Sequence, residues 1–269
     1  MAESASEPGR NIPIETVPNL RDLGGWETPG GKVRHGLIYR SAEFASLAGD
    51  DAEAFGRLGI RSVYDFRTEA ERSQNPNVVP DGVEHITLDI LADSAQAGPA
   101  MLLKVMGDPE EAERLLGGGK ALGLFEGSYR ELIDLPSARS GYKDFFEQIA
   151  SPDHQPSLFH CTTGKDRTGW AAAALLLLLG VDEADVYADY LLTNVQLVGM
   201  TAPISDQFAS IGGDPAVLAP VLGVQKEYLA AAIAEMKSKY GDIDTYFTEG
   251  LGLSPETVET LKTTYMEKG

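Results

Sequence analysis

The sequence predicts an α/β fold: a central parallel or mixed sheet flanked by helices, a helical stretch before the last central strand, and a helical C-terminal part. Three observations predict it. Short β-rich runs alternate with amphipathic stretches up to Leu88. The run Ser157-Leu158-Phe159 gives way abruptly to a polar, glycine-containing string from His160 to Gly169. Beyond that string nearly all of the chain carries helical periodicity.

The elements follow in order. Residues 1–11, MAESASEPGRN, read as a flexible polar lead, and 12–269 as one domain. Glu27 to Arg34 carries a Pro29-Gly30-Gly31 turn suited to a hairpin, and Leu37-Ile38-Tyr39-Arg40 reads as a strand. Asp50 and Asp51 are predicted N-caps of a helix through Leu58, followed by strands at Ile60–Phe66 and Val83–Leu88. Between Asp93 and Asp134 helical pieces fall at Ala100–Met106, Pro109–Leu116 and Leu122–Leu135, broken by Gly117-Gly118-Gly119. They read equally as a mobile insertion or as core helices joined by a glycine linker. A helix at Ser137–Ala150 leads into the strand at Ser157. Later helices are predicted at Thr168–Leu179, Glu183–Asn194, Val224–Tyr240, Ile243–Glu249, and after a Ser254-Pro255-Glu256 cap. The apolar run Trp170–Leu179 is shorter than the roughly 20 residues that span a bilayer and reads as a buried core helix.

Charge narrows the partners. With 22 basic against 41 acidic residues the net charge is -19, which argues against a general nucleic-acid or anionic-membrane surface. Any anionic substrate must then be held by a local pocket. The single cysteine allows no internal disulfide and no cysteine-cluster zinc site. Together with an N-terminus lacking an apolar signal core, this fits a cytoplasmic location, with signal-less secretion also compatible.

The string His160-Cys161-Thr162-Thr163-Gly164-Lys165-Asp166-Arg167-Thr168-Gly169 carries the chemistry. A Cys-x5-Arg loop between strand and helix can wrap so that its backbone N–H groups, from Thr162, Thr163, Gly164 and Lys165 onward, converge on one anion. The helix beginning near Thr168 adds unpaired N–H groups and the positive end of its dipole. A cysteine so placed, beside Lys165 and Arg167, is favoured as the thiolate, which is the attacking species. Arg167 can hold two phosphoryl oxygens with its planar fork. Asp166 is the nearest candidate to protonate the leaving oxygen and then activate water. Thr168 can ease the departure of the thiolate by a hydrogen bond, and His160 orients the loop. Asp65 and Arg67, at the end of a predicted strand, either reach the site and help position the loop or the acid, or form a local salt bridge.

Rival chemistries fit less well. A nucleotide-binding P-loop needs Ser or Thr where Asp166 stands and glycine where Phe159 stands. A cysteine protease would need His35, His85 or His154 as base, and none sits in a recognisable context. A rhodanese-like sulfurtransferase has no use for an acid at 166. A catalytically inactive phosphate-binding module would not need Cys161, Asp166 and Arg167 together.

The loop resembles the signature of the atypical tyrosine phosphatases of the bacterial protein tyrosine phosphatase B type. So do Asn19-Leu20-Arg21-Asp22-Leu23-Gly24-Gly25, Tyr39 to Glu43, Val63 to Arg67, Ala188 to Asn194 and Gly223 to Leu229, in order. The resemblance implies a phosphatase-type fold, no metal or other cofactor, Cys161 as nucleophile, Arg167 as phosphate clamp and Asp166 as acid. It implies that 93–134 is a lid over the pocket, which leaves the acid to the loop itself. Substrates implied are phosphotyrosine proteins, with phosphoserine, phosphothreonine and, through Lys165, phosphoinositides.

Overall fold

The computed structural model of the chain describes residues 7–94 and 105–268. Its main sheet runs, in spatial order, β1 (Arg21–Asp22), β4 (Ile38–Ser41), β7 (Ser157–His160), β5 (Ser62–Asp65) and β6 (Glu84–Thr87). Only β1 is antiparallel; β4, β7, β5 and β6 run parallel. The predicted mixed sheet is thus present, and β4, β5 and β7 are buried on both faces, as parallel strands between helical layers must be. Alternation along each strand feeds two cores. Tyr39, Val63 and Leu158 point to one with Phe44 and Phe55, while Ile38, Tyr64 and Phe159 point to the larger one.

The first face is covered by α1 (Gly49–Gly56). Asp50 and Asp51 lie in its first turn rather than at the N-cap, which is Ala48 and makes no side-chain bond. Acidic side chains suit that turn through the helix dipole, and the Asp51 carboxylate accepts the backbone N–H of Thr16 at 2.8 Å instead of capping. Next comes α2 (Glu69–Gln74), which the sequence reading omits, closed by a capping box between Thr68 and Glu71.

On the second face lie α5 (Pro136–Ile149), the central α6 (Arg167–Leu178), α7 (Glu183–Gln196) and α10 (Lys226–Tyr240). The Trp170-to-Leu178 run is buried almost throughout, as an all-round apolar helix must be. α11 (Pro255–Tyr265) is capped by Ser254, whose hydroxyl accepts from the N–H of Thr257 at 3.1 Å. The predicted hairpin forms β2 (Glu27–Thr28) and β3 (Gly31–Val33), and the C-terminal β8 (Met266–Lys268) extends it.

The insertion contains α3 (Pro109–Leu116) and α4 (Lys120–Asp134). Most of the predicted Ala100–Met106 piece, and residues 1–6 of the lead, lie outside the described residues. Val105, Ala112, Leu116 and Ala121 build a small separate core with Phe208, Leu218 and Leu222. The latter three belong to α8 (Val198–Ser210) and α9 (Pro215–Leu222), two helices the sequence reading does not place. Pro215–Tyr240 is long and apolar enough, by length and composition, to cross a membrane. It is instead two helices, α9 and α10, parted at 223–225, and α10 buries Tyr228, Leu229, Ala232, Ile233 and Met236 against the main core.

Candidate active site

The carboxyl ends of the three central strands align Ser41, His160 and Asp65 in one row, the edge where open α/β sheets bind ligands. β7 ends there and α6 starts at Arg167, so the residues between must reverse sharply. Gly164 takes φ +67° at the reversal, and a Cβ on it would stand 2.2 Å from the Ser41 carbonyl oxygen. Gly164→Ala should therefore cost about 2 kcal/mol or more, lowering Tm by roughly 5 °C and collapsing activity with it. Thermal unfolding beside a phosphate-release assay checks this; an unchanged Tm would mean that the reversal tolerates a side chain.

A second layer fixes the loop from below. Asn19, itself at φ +57°, donates to the carbonyls of Thr163 and Gly164 at 3.2 and 3.1 Å, and Arg40 donates to Gly164 O at 2.8 Å. Arg40 also binds Asp189 Oδ2 at 2.9 Å, and Arg21 holds Asn19 Oδ1 at 2.5 Å and the Asp189 carbonyl at 3.1 Å. Arg21 Nη2 is also 3.5 Å from Asp189 Oδ2, so two buried guanidiniums share one carboxylate. Burial, followed by the charge of Arg40, brings the pKa of Arg21 down to about 9 despite Asp189. The surplus positive charge under the loop favours an anion above it.

With its carbonyls occupied, the loop keeps its N–H groups free. Among the described residues none of the backbone N–H groups from Thr162 to Thr168 has a hydrogen-bond partner. Such a run is an anion nest feeding a helix N-terminus. Cys161, at its start, is buried with 1 % exposure. The Thr168 hydroxyl is also buried and unpartnered, so it is not bonded to the thiol here.

Arg167 meets a partner that the sequence reading missed. Its Nη1 donates to Glu71 Oε2 and its Nη2 to Glu71 Oε1, both at 2.7 Å, while Thr162 Oγ1 donates to Glu71 Oε1 at 2.5 Å. Burial, the largest influence on Glu71, works to raise its pKa. The bonds and charge of Arg167, with Thr162, overcome it and bring the value down to about 2. Glu71 is therefore ionised at neutral pH, and Arg167 is held firmly protonated. The pair is end-on: among the described residues Arg167 Nε carries no hydrogen bond, and Nη2 has, besides Glu71, only a 3.5 Å contact to Thr162 Oγ1, so the Nε side of the guanidinium is the open one.

Asp166 stands at the mouth of α6, its side chain 30 % exposed, with Oδ1 accepting the Tyr129 hydroxyl at 2.9 Å. Tyr129 comes from α4 in the insertion, and its oxygen is 2.5 Å from that of Tyr190 on α7. Lys165, predicted to bind substrate phosphate, turns instead to α9. Its Nζ donates to the carbonyls of Val221 and Gly223, lies 5.1 Å from the Phe125 ring centre, and is 3.7 Å from Asp166 Oδ2.

His160 acts behind the loop. Its Nδ1 donates to the Cys161 carbonyl at 2.9 Å, so the neutral ring must accept the Asn77 amide at Nε2, 2.8 Å away. Burial first of all lowers its pKa to about 4, which keeps it neutral. Arg67 chelates Asp65 at 2.7 to 3.1 Å and also binds Glu43 at 2.6 Å, while Asp65 Oδ2 is 3.8 Å from His160 Nε2. Asp65 and Arg67 thus form a local salt bridge and reach the loop indirectly, through His160 and through Glu43, whose N–H donates to the Thr162 carbonyl at 3.1 Å. Asp65, His85 and His160 bring three metal-type donor atoms within 4.8 Å of one another. Arg67 already donates to both oxygens of Asp65, so a cation there would face a fixed positive charge on its own ligand.

The model of the tyrosine phosphatase family matches residues 12–267, a span that holds the whole site. The chain belongs to the tyrosine phosphatase family. A Cupriavidus necator protein provisionally named a tyrosine-protein phosphatase is 31% identical over 252 residues, covering 92% of this chain and 87% of that one. The triple specificity protein phosphatase PtpB of Mycobacterium tuberculosis is 29% identical over 271 residues, 91% of this chain and 95% of its own. A tyrosine-protein phosphatase of Nostoc commune is 27% identical over 231 residues, 83% and 72% of the two chains. As a member of the family the chain is a protein tyrosine phosphatase, a hydrolase of phosphate monoesters on phosphorylated substrates.

Proposed function

We propose that this phosphatase works through a Cys161 phosphoenzyme, with the anion nest as the site of the transferred phosphoryl group. The carrying observation is the run of N–H groups from Thr162 to Thr168 that are unpaired among the described residues, between a buried cysteine and an arginine whose Nε side is open. Cys161 attacks phosphorus as the thiolate. Arg167, steadied by Glu71, receives two phosphoryl oxygens on its open Nε side. Asp166 protonates the leaving oxygen and then removes a proton from the water that splits the thiophosphate. The nest needs no metal to bind a dianion.

Access requires movement, since Cys161, Lys165 and Arg167 are at most 8 % exposed. The lid is α3 and the start of α4 together with α8 and α9, which share one small core. A cavity of about 430 Å³ opens between α3, Phe208 and Gly212–Asp214, within this lid and away from Cys161. Protein phosphotyrosine is the main substrate, and the similarity to a triple specificity phosphatase supports activity on further phosphate esters. Phosphate release from phosphotyrosine peptide, phosphoserine peptide and phosphatidylinositol phosphate, compared by kcat/KM, tests this; a phosphoserine peptide turned over faster than phosphotyrosine would overturn the preference.

Lys165 links the loop to the lid through α9, and an incoming second phosphate can compete for its ammonium. Lys165→Ala should then lower kcat/KM for a phosphoinositide about tenfold more than for a phosphotyrosine peptide, the worth of one charged contact. Equal losses on both would leave Lys165 with the α9 anchor alone.

A further inference from the structure

Tyr129 belongs to the insertion, yet its hydroxyl ends on the carboxylate of the active-site loop. Both Tyr129 and Tyr190 are 1 % exposed. The Tyr129 hydroxyl donates to Asp166 Oδ1 at 2.9 Å, so its single proton is committed there. The 2.5 Å contact between the phenols must then be supplied by the proton of Tyr190. The chain Tyr190 to Tyr129 to Asp166 is therefore directional. Burial, and after it the charge of Asp166, raises the pKa of both phenols well above the ordinary value, so both remain donors across the working range.

A carboxyl group that must carry a proton on one oxygen and present it to a leaving group gains from having its other oxygen permanently engaged. We infer that Tyr129, backed by Tyr190, is a positioning residue for the general acid: it occupies Asp166 Oδ1 so that the catalytic proton resides on Oδ2. The inference rests on Asp166 being the acid. In the first step the Oδ2–H bond breaks as the ester oxygen takes the proton and the P–O electron pair, and Asp166 is left as the carboxylate. In the second, Oδ2 takes a proton from water as the oxygen of that water bonds to phosphorus and the S–P pair returns to Cys161. Tyr129 keeps its own proton throughout. Oδ2 is the freer oxygen, with Lys165 Nζ at 3.7 Å as its nearest charged neighbour. Other titratable groups near Asp166 are Arg167, Tyr142, Tyr190 and Tyr228. The insertion is thereby not free of acid duty, because α4 supplies the hydroxyl that holds Asp166 Oδ1.

Phenyl phosphate, a poor leaving group, and 2,4-dinitrophenyl phosphate, which leaves without a proton, separate the roles. Tyr129→Phe keeps the ring contacts with Tyr190 and Tyr228. It should lower kcat/KM about tenfold on phenyl phosphate and less than about twofold on the dinitrophenyl ester, with Tyr190→Phe smaller in the same sense. In an Asp166→Asn background, which has no proton to place, Tyr129→Phe should change neither ratio. If Asp166→Asn slows both esters equally, the acid lies elsewhere and the reading of Asp166 fails. If Asp166→Asn discriminates between the esters but Tyr129→Phe slows them equally, or not at all, only the role of Tyr129 is overturned. Should Tyr129→Phe unfold, Tyr190→Phe, which leaves the Tyr129 hydroxyl in place, decides between the same two outcomes.

Discussion

Cys161→Ser should abolish hydrolysis of a phosphotyrosine peptide, a loss on the order of 10^4-fold or more in kcat, while inorganic phosphate binds at least as tightly. The two halves have separate causes. A serine hydroxyl is far less acidic than a thiol, and Asp166, committed in this step to protonating the leaving oxygen, cannot also take its proton. The neighbouring imidazole of His160 gives its Nδ1 proton to the Cys161 carbonyl and its Nε2 lone pair to Asn77, so it cannot activate an alcohol. An alkoxide is also a far poorer group than a thiolate to expel from phosphorus. Binding, by contrast, is carried by the N–H groups of Thr162 to Thr168 and by Arg167, which the substitution leaves in place. Removing the thiolate charge also removes its repulsion of a bound dianion. Single-turnover assays with titration of phosphate by calorimetry measure both halves. Retention of wild-type turnover by the serine variant would end the phosphoenzyme reading, and loss of phosphate binding would move the anion site away from the nest.

What the sequence discloses here depends on how far apart the interacting groups lie along the chain. The loop from His160 to Gly169 is legible because nucleophile, clamp and acid sit within one strand-to-helix turn, where spacing alone sets the geometry. Glu71 is half legible: Thr68 and Glu71 carry the capping-box spacing. Nothing in that spacing tells that the same carboxylate grips Arg167, 96 residues on. Asn19, 145 residues from the carbonyl of Gly164 that it holds, shows up only as part of a recurring block, and its left-handed backbone is a property of the fold. α8 and α9 escape for a local reason. Each carries an internal proline, Pro203 and Pro220, and Gly212 and Gly213 stand between them, all of which read as helix breakers. Packing against α3 overrides that propensity. Lys165 looks from its neighbours like a phosphate ligand; only the arrival of α9 shows where its ammonium goes.

Arg167→Lys is the sharper test of the site, because it preserves charge and removes shape. The guanidinium uses two edges at once: Nη1 and Nη2 face Glu71 at 2.7 Å each, and the Nε side is left for phosphate. An ammonium has one point of charge and must choose. Glu71 is already ionised and buried beside it, with Thr162 and Thr68 as further donors, so the lysine would be drawn to Glu71 rather than to substrate. A fall in kcat/KM on the order of 10^2- to 10^3-fold is expected, mostly in kcat, since the lost contacts strengthen as charge spreads over the transferring group. Tm should fall far less than in Arg167→Ala, which leaves the Glu71 carboxylate buried without its charge partner and costs about 3–5 kcal/mol. Pairing Arg167→Lys with Glu71→Gln gives the decisive comparison. Releasing the ammonium from Glu71 should restore phosphate affinity but not kcat, because affinity follows charge and turnover follows the two-oxygen geometry. Recovery of both would mean that Arg167 supplies charge alone, and recovery of neither would place its contribution in holding the loop together.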